Sequence, residues 1–145
     1  LRLTDQLCSA LGKQQIALVL SLDMSKAYDT VDHAILLAKL EHHGIRGAEL
    51  AWFTSYLRGR TQSVMINSRE SEALDIGYGV PQGSPLSPLV SIIYTADMHL
   101  AALHSDIEAY AGDTHLAVHS RRENVPLSVA QLTADFNNIS NWCMR

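Results

Sequence analysis

Cysteine is scarce in this chain. Cys8 and Cys143 are the two thiols among 145 residues, one near each end, too few for a disulfide framework or a cysteine-rich zinc site. Such usage fits a reducing compartment inside the cell, with the cytoplasm and/or the nucleus as the expected location. Positive charge is short as well: 11 Lys and Arg stand against 15 Asp and Glu, for a formal net charge of −4. Binding to a phosphate backbone is driven largely by Lys and Arg releasing counterions, so this stretch alone has little to grip one with. Long hydrophobic runs are missing too. The most apolar region, residues 86–103, is interrupted by Asp97 and His99, so no membrane span is expected, and no basic-then-apolar segment opens the chain as a targeting signal would. There is no internal repeat, low-complexity tract or linker.

What is present is a composition of 47% hydrophobic and 18% charged residues, enough for the core of one globular domain over residues 1–145. The chain opens at Leu1 rather than Met and stops at Arg145 inside a helical pattern, which reads as a piece of something longer. Residues 16–22 form a nearly unbroken apolar run, predicting a strand buried on both faces that ends at Asp23. Asp29, Thr30 and Asp32 then offer cap oxygens to a helix with Val31, Ile35, Leu36, Ala38 and Leu40 on one side, closing at Gly44. A second helix spans 48–57 and ends at Gly59. Residues 62–67 and 73–78 suggest a hairpin across the polar turn 68–72.

Pro85 and Pro88 fit the first turn of one long helix over 86–103. Strands at 106–110 and 114–119 are joined by the tight Ala111-Gly112-Asp113 connection, and a last helix over 127–144 repeats Val129, Leu132, Phe136, Ile139 and Trp142 at helical spacing. Trp52 and Phe53, like Trp142, are expected to anchor helices in the core. His42, His43, His115 and His119 read as solvated or packed rather than metal-ligating, since neither consecutive helix positions nor alternate strand positions converge by design. The order of elements gives an α+β domain with a mostly antiparallel sheet.

Two aspartates sit where strand ends meet, Asp23 after the first strand and Asp113 at the hairpin tip. Taken alone, each reads more readily as a turn or cap acceptor than as a metal ligand. The words around them change that. Leu22-Asp23-Met24-Ser25-Lys26-Ala27-Tyr28-Asp29, then Gly79-Val80-Pro81-Gln82-Gly83-Ser84-Pro85-Leu86, then Tyr110-Ala111-Gly112-Asp113 occur in this order and closely resemble the palm motifs of reverse transcriptases from non-LTR (LINE-type) retrotransposons. The likeness runs from about residue 3 to 142 and takes in Asp32-His33, Gly44-Ile45-Arg46-Gly47, Trp52-Phe53 and Ser55-Tyr56-Leu57.

This resemblance implies a polymerase palm with part of the fingers and no thumb, built as a split βαβ, ferredoxin-like sheet with helices on one face. It implies RNA-directed DNA synthesis by two-magnesium nucleotidyl transfer, with manganese as a substitute. Asp23 and Asp113 would be the metal-binding catalytic acids, while Met24, Tyr28, Pro81, Gln82 and Gly83 would meet substrate, Tyr28 lying under the incoming sugar to exclude a 2′-hydroxyl. RNA template, DNA primer and dNTP would be the partners, in a polyprotein with further flanking domains. One position departs from the pattern: the family carries two adjacent aspartates where Gly112 and Asp113 stand, so an impaired enzyme is expected. The alternative is a non-catalytic nucleic-acid-binding or scaffold remnant of the same fold. An RNA-recognition module fits less well, because residues 16–22 lack the aromatic side chains that stack bases.

Overall fold

A computed structural model describes residues 2–110 and 112–144. The fold is mixed α+β, with five α-helices and short antiparallel sheets among the described residues. Its contacts divide the chain into two compact units, Leu1–Ser25 with Ala96–Arg145, and Lys26–Thr95.

The first unit is built on a three-stranded antiparallel sheet. It contains α1 (Arg2–Gly12), β1 (Ile16–Asp23), a 3₁₀ turn (Met98–Ala101), β6 (Asp106–Tyr110), β7 (Asp113–Ser120), a second 3₁₀ turn (Arg122–Asn124) and α5 (Val125–Cys143). The strand order is β1-β7-β6, so β7 is central. The sequence reading had residues 16–22 buried on both faces, and the structure corrects this. β1 pairs with β7 alone, and Val19, on the face away from α5, is 40% exposed. An apolar run signals a strand but not how many neighbours it has. Leu20, Leu22, Leu116 and Ile107 occupy the other face, where they pack with Met98, Ile139, Leu132 and Trp142.

The inward stripe of α5 is Ser128, Leu132, Asp135, Ile139 and Trp142, while Val129 and Phe136 are 48% and 41% exposed. Asp135 takes a core position because it holds the loop before β6. Its carboxylate accepts from the amides of Leu103, His104 and Ser105 and from the Ser105 hydroxyl, at 2.6–2.9 Å. A buried charge is tolerated when its lone pairs are filled in this way. Helix α1 was not foreseen in the sequence, although Leu3, Leu7 and Ala10 recur at helical spacing.

The second unit is helical with a small β-hairpin. Helix α2 (His33–His42) starts at Asp32, whose side chain accepts from Ala34 and Ile35 amides; of the anticipated cap residues, Asp32 does the capping and Asp29 is turned to another use. Helix α3 (Gly47–Leu57) follows, with Gly44 and Gly59 in the left-handed region after the two helices. Val31, Leu36, Leu40, Leu57, Val80 and Val90 form the core. Phe53 packs against it, but Trp52 is 53% exposed and stacks on Tyr56 instead of anchoring α3 inside.

The hairpin is nested: β2 (Thr61–Gln62) pairs with β5 (Leu74–Asp75), and β3 (Met65–Ile66) with β4 (Arg69–Glu70). Its tip is Asn67-Ser68, both at positive φ, the geometry that matches strand twist in a two-residue loop. The expected turn at 68–72 is therefore displaced, since Arg69 and Glu70 belong to a strand. The long helix expected over 86–103 is also interrupted. Helix α4 (Ser87–Thr95) stops where the Thr95 hydroxyl bonds back to the Ser91 carbonyl. Beyond it, His99 Nδ1 meets the Ala96 carbonyl, and the amides of Leu100 and Ala102 bond three residues back, which tightens the chain into a 3₁₀ turn. No helix among the described residues is long and apolar enough to cross a membrane.

Burial pushes the Asp135 carboxyl up, but the bonds from Ser105, Leu103 and His104 outweigh it, and the group is held below the ordinary carboxylate range. A carboxyl held low in the folded chain stabilises it above the unfolded value of about 3.9, and that share is lost as pH falls through the lowered value. Asp135→Asn should cost on the order of 3 kcal/mol at neutral pH by leaving buried amides facing an NH₂ group. Urea unfolding across the acid range should show the wild-type chain losing stability as it is acidified and the variant losing less.

Candidate active site

The site begins with strand register. Asp23 ends β1, Asp113 opens β7, and the two are direct Cα partners in the antiparallel ladder. Opposed residues in such a pair project to the same face, and both side chains here are exposed. The ladder runs one step further, for the Met24 amide donates to the Gly112 carbonyl at 3.1 Å. This bond holds the Gly112 backbone beside Asp23. Ala111, within that connection, lies outside the described residues. Met24 turns its side chain into the first unit's core, against Met98, Leu116 and Ile139.

Gly112 is the informative neighbour. A Cβ built on it would come 4.0 Å from Asp23 Oδ1, an ordinary contact, and its backbone is not in the left-handed region. A side chain at 112 would thus arise beside the Asp23 carboxylate without a clash. Two carboxylates, plus waters and substrate phosphates, are a donor set that suits one magnesium ion. A second ion in the same place would lack the carboxylate that position 112 does not carry. Among the described residues no cluster of three His, Cys, Asp or Glu side chains is poised around a cation.

One row below the acids lies a set of residues of which the sequence reading named only His115, as solvated or packed. Ser21 Oγ and His115 Nδ1 are 2.9 Å apart, and Glu108 on β6 is the partner of His115 on its other side. Glu108 Oε2 is buried with no hydrogen-bond partner. Alternation of residues 21 with 23 and 113 with 115 carried the signal, because period two places them on one face once the strands are paired.

The other substrate candidates belong to the second unit. Tyr28 is half-buried and packs against the core around Val31, and its carbonyl accepts from the Val80 amide at 2.8 Å. Gly79 donates to the Val31 carbonyl at 2.7 Å, while its own carbonyl meets His33 Nε2 at 2.7 Å. The two segments touch backbone to backbone: a Cβ on Gly79 would lie 2.9 Å from the Asp29 carbonyl oxygen and 3.0 Å from Tyr28 O, and φ is +85°. Gln82 Nε2 donates to Asp29 Oδ1 at 3.0 Å. Pro81 is half-buried, its carbonyl accepting from the Ser87 hydroxyl, whereas Gly83 is exposed at φ +82° with nothing near its absent side chain. Asp29, Gly79, Val80, Pro81 and Gln82, with Lys26, border an open groove of about 790 Å³, which Tyr28 and Gly83 do not line.

Gly79→Ala should destabilise the second unit by on the order of 3 kcal/mol, because the contacts are with backbone and the φ is unsuited to an L side chain. The same change at Gly83 meets only the φ penalty. Urea midpoints of the two variants should separate accordingly.

Residues 2–145 match the family described as reverse transcriptase (RNA-dependent DNA polymerase). The chain is 30% identical to a probable RNA-directed DNA polymerase from transposon X-element of Drosophila melanogaster, over 99% of its own length and 16% of that protein's. It is 28% identical to the RNA-directed DNA polymerase from mobile element jockey of the same fly, over 97% of this chain and 16% of that one. A Pol polyprotein from the type-1 retrotransposable element R2 of Popillia japonica matches at 33% over half of this chain and 12% of its own. The chain thus spans about one sixth of the first of these relatives.

Proposed function

Since the chain belongs to the reverse transcriptase family, related to the enzymes of non-LTR retrotransposons, we propose that it forms the palm and part of the fingers of an RNA-directed DNA polymerase. In this reading the sheet β1-β7-β6 with α5 on one face is the palm's split βαβ, ferredoxin-like core, and the longer relatives imply flanking domains. Its substrates are an RNA template, a DNA primer and dNTPs, met inside the cell in the cytoplasm and/or nucleus. The observation that carries the proposal is the register of Asp23 opposite Asp113 on one exposed face.

Nucleotidyl transfer requires an in-line attack with charge building on the attacking and leaving oxygens. Asp23 and Asp113 are the residues that would hold magnesium, or manganese in its place, and a bound ion supplies the neutralisation of that charge. Tyr28, next to the backbone of Val80, serves as the floor beneath the sugar and favours deoxynucleotides by excluding a 2′-hydroxyl. Pro81, Gln82 and Gly83 border the nucleotide and template base, whereas the Met24 side chain is taken up by the first unit's core. Gly83 contributes by letting the backbone come close to a ligand.

Gly112 weakens this machinery without disturbing the fold. If the missing carboxylate withdraws several kcal/mol of transition-state stabilisation, the loss is about three orders of magnitude in rate. Restoring Gly112→Asp in a chain with the flanking segments of the longer relatives should raise metal-dependent primer extension by about that factor, and Asp23→Asn should abolish the gain. Equal extension with Gly and with Asp at 112 would overturn the impaired-polymerase reading.

A second reading, a nucleic-acid-binding or scaffold remnant, is favoured by the same glycine beside Asp23. It predicts that a mobility assay at low salt retains primer-template while Gly112→Asp brings no extension at all.

A further inference from the structure

Asp29 was expected to cap a helix, yet its carboxylate is spent on Gln82, at 3.0 Å from Nε2. A carboxylate accepts and does not donate, whereas a glutamine amide does one with each arm. The bond therefore settles which arm of Gln82 faces Asp29: the NH₂ group is engaged by the carboxylate, and the carbonyl oxygen is the arm left over, on a side chain that lines the same groove as Asp29, Lys26 and Arg60.

Both hosts of this bond are held by backbone. The Asp29 amide donates to the Lys26 carbonyl at 2.8 Å, and Gly79 and Val80 tie the opposite segment to Val31 and Tyr28. On Gln82's other side the Tyr56 hydroxyl donates to Ser84 Oγ at 2.8 Å. With the backbones fixed, ordering Gln82 costs only its own side-chain rotamers, and one charge-assisted bond is enough to select among them.

We infer that Asp29 is a positioning residue that engages the NH₂ arm of Gln82 and so leaves the carbonyl oxygen as its presented group, an acceptor for a hydrogen-bond donor on the incoming nucleotide, such as a sugar hydroxyl or base amino group. The inference deepens the polymerase reading and rests on it for the identity of the ligand. Without Asp29 the amide turns freely and offers donor and acceptor alike, which weakens recognition because the wrong arm leaves the ligand's donor unpaired.

Two measurements test it. In the ¹⁵N-labelled 145-residue chain, Asp29→Ala should move the Gln82 side-chain NH₂ resonances to free-amide positions and speed their exchange. Asp29→Asn, which keeps an acceptor oxygen, should hold them near the parent values. In the longer polymerase carrying Gly112→Asp, Asp29→Ala should raise KM for dNTP about tenfold with a smaller change in kcat, and Asp29→Asn should recover most of it. Unmoved Gln82 resonances in Asp29→Ala would overturn the positioning role. Moved resonances with an unchanged KM would overturn the presentation of the acceptor to nucleotide. A parent enzyme that extends no primer would count against the polymerase reading instead, leaving the amide result to decide what Asp29 holds.

Discussion

The register between β1 and β7 is the constraint on which the rest depends. Asp23 faces Asp113 because Leu20 faces Leu116 three pairs away along the ladder, on the opposite face, and those leucines are committed to the core beneath α5. A slip by one residue would carry the leucines to the surface and the acids into the core, so the apolar set fixes the register and the polar set follows it. The placement of the acids is thus a product of packing. Met24 extends the same ladder to Gly112.

The second unit meets its own positioning problem by a different route. There the candidate groups ride on turns, and turns are held by close approach of backbone to backbone rather than by side-chain interlock. Gly79 is the residue that permits it, and three hydrogen bonds around it, to Val31, from Val80 to Tyr28, and with His33, replace the rigidity that a strand would have provided. Groups held on such a supported frame present a fixed geometry at low entropic cost.

Much of the fold was readable because local chemistry announced it. Gly44 and Gly59 mark helix ends, Asp32 a helix start, and the alternation in 106–110 and 114–119 a hairpin. The errors share one cause, since each depended on contacts distant in sequence. Residues 16–22 look like a central strand, but the neighbour count belongs to the sheet. Asp135 replaces an apolar residue on the stripe of α5 because a loop thirty residues away needs an acceptor. The interruption after Thr95 arises from side chains competing for helix carbonyls, which apolar periodicity does not register. For the site, the words around Asp23, Gln82 and Asp113 were legible through resemblance. The row of Ser21, His115 and Glu108 and the bond from Gln82 to Asp29 were not, because both need pairing to become visible.

Glycine at 112 has a consequence for the life of the molecule. No core atom leans on that position, with the nearest side-chain atom 4.0 Å from where a Cβ would stand, so replacing an acid there by hydrogen costs folding under about 1 kcal/mol. Cellular proteolytic triage senses the unfolded fraction and little else. A chain without a side chain at 112 is therefore expected to persist as abundantly as one with an acid there, whatever that acid would have done.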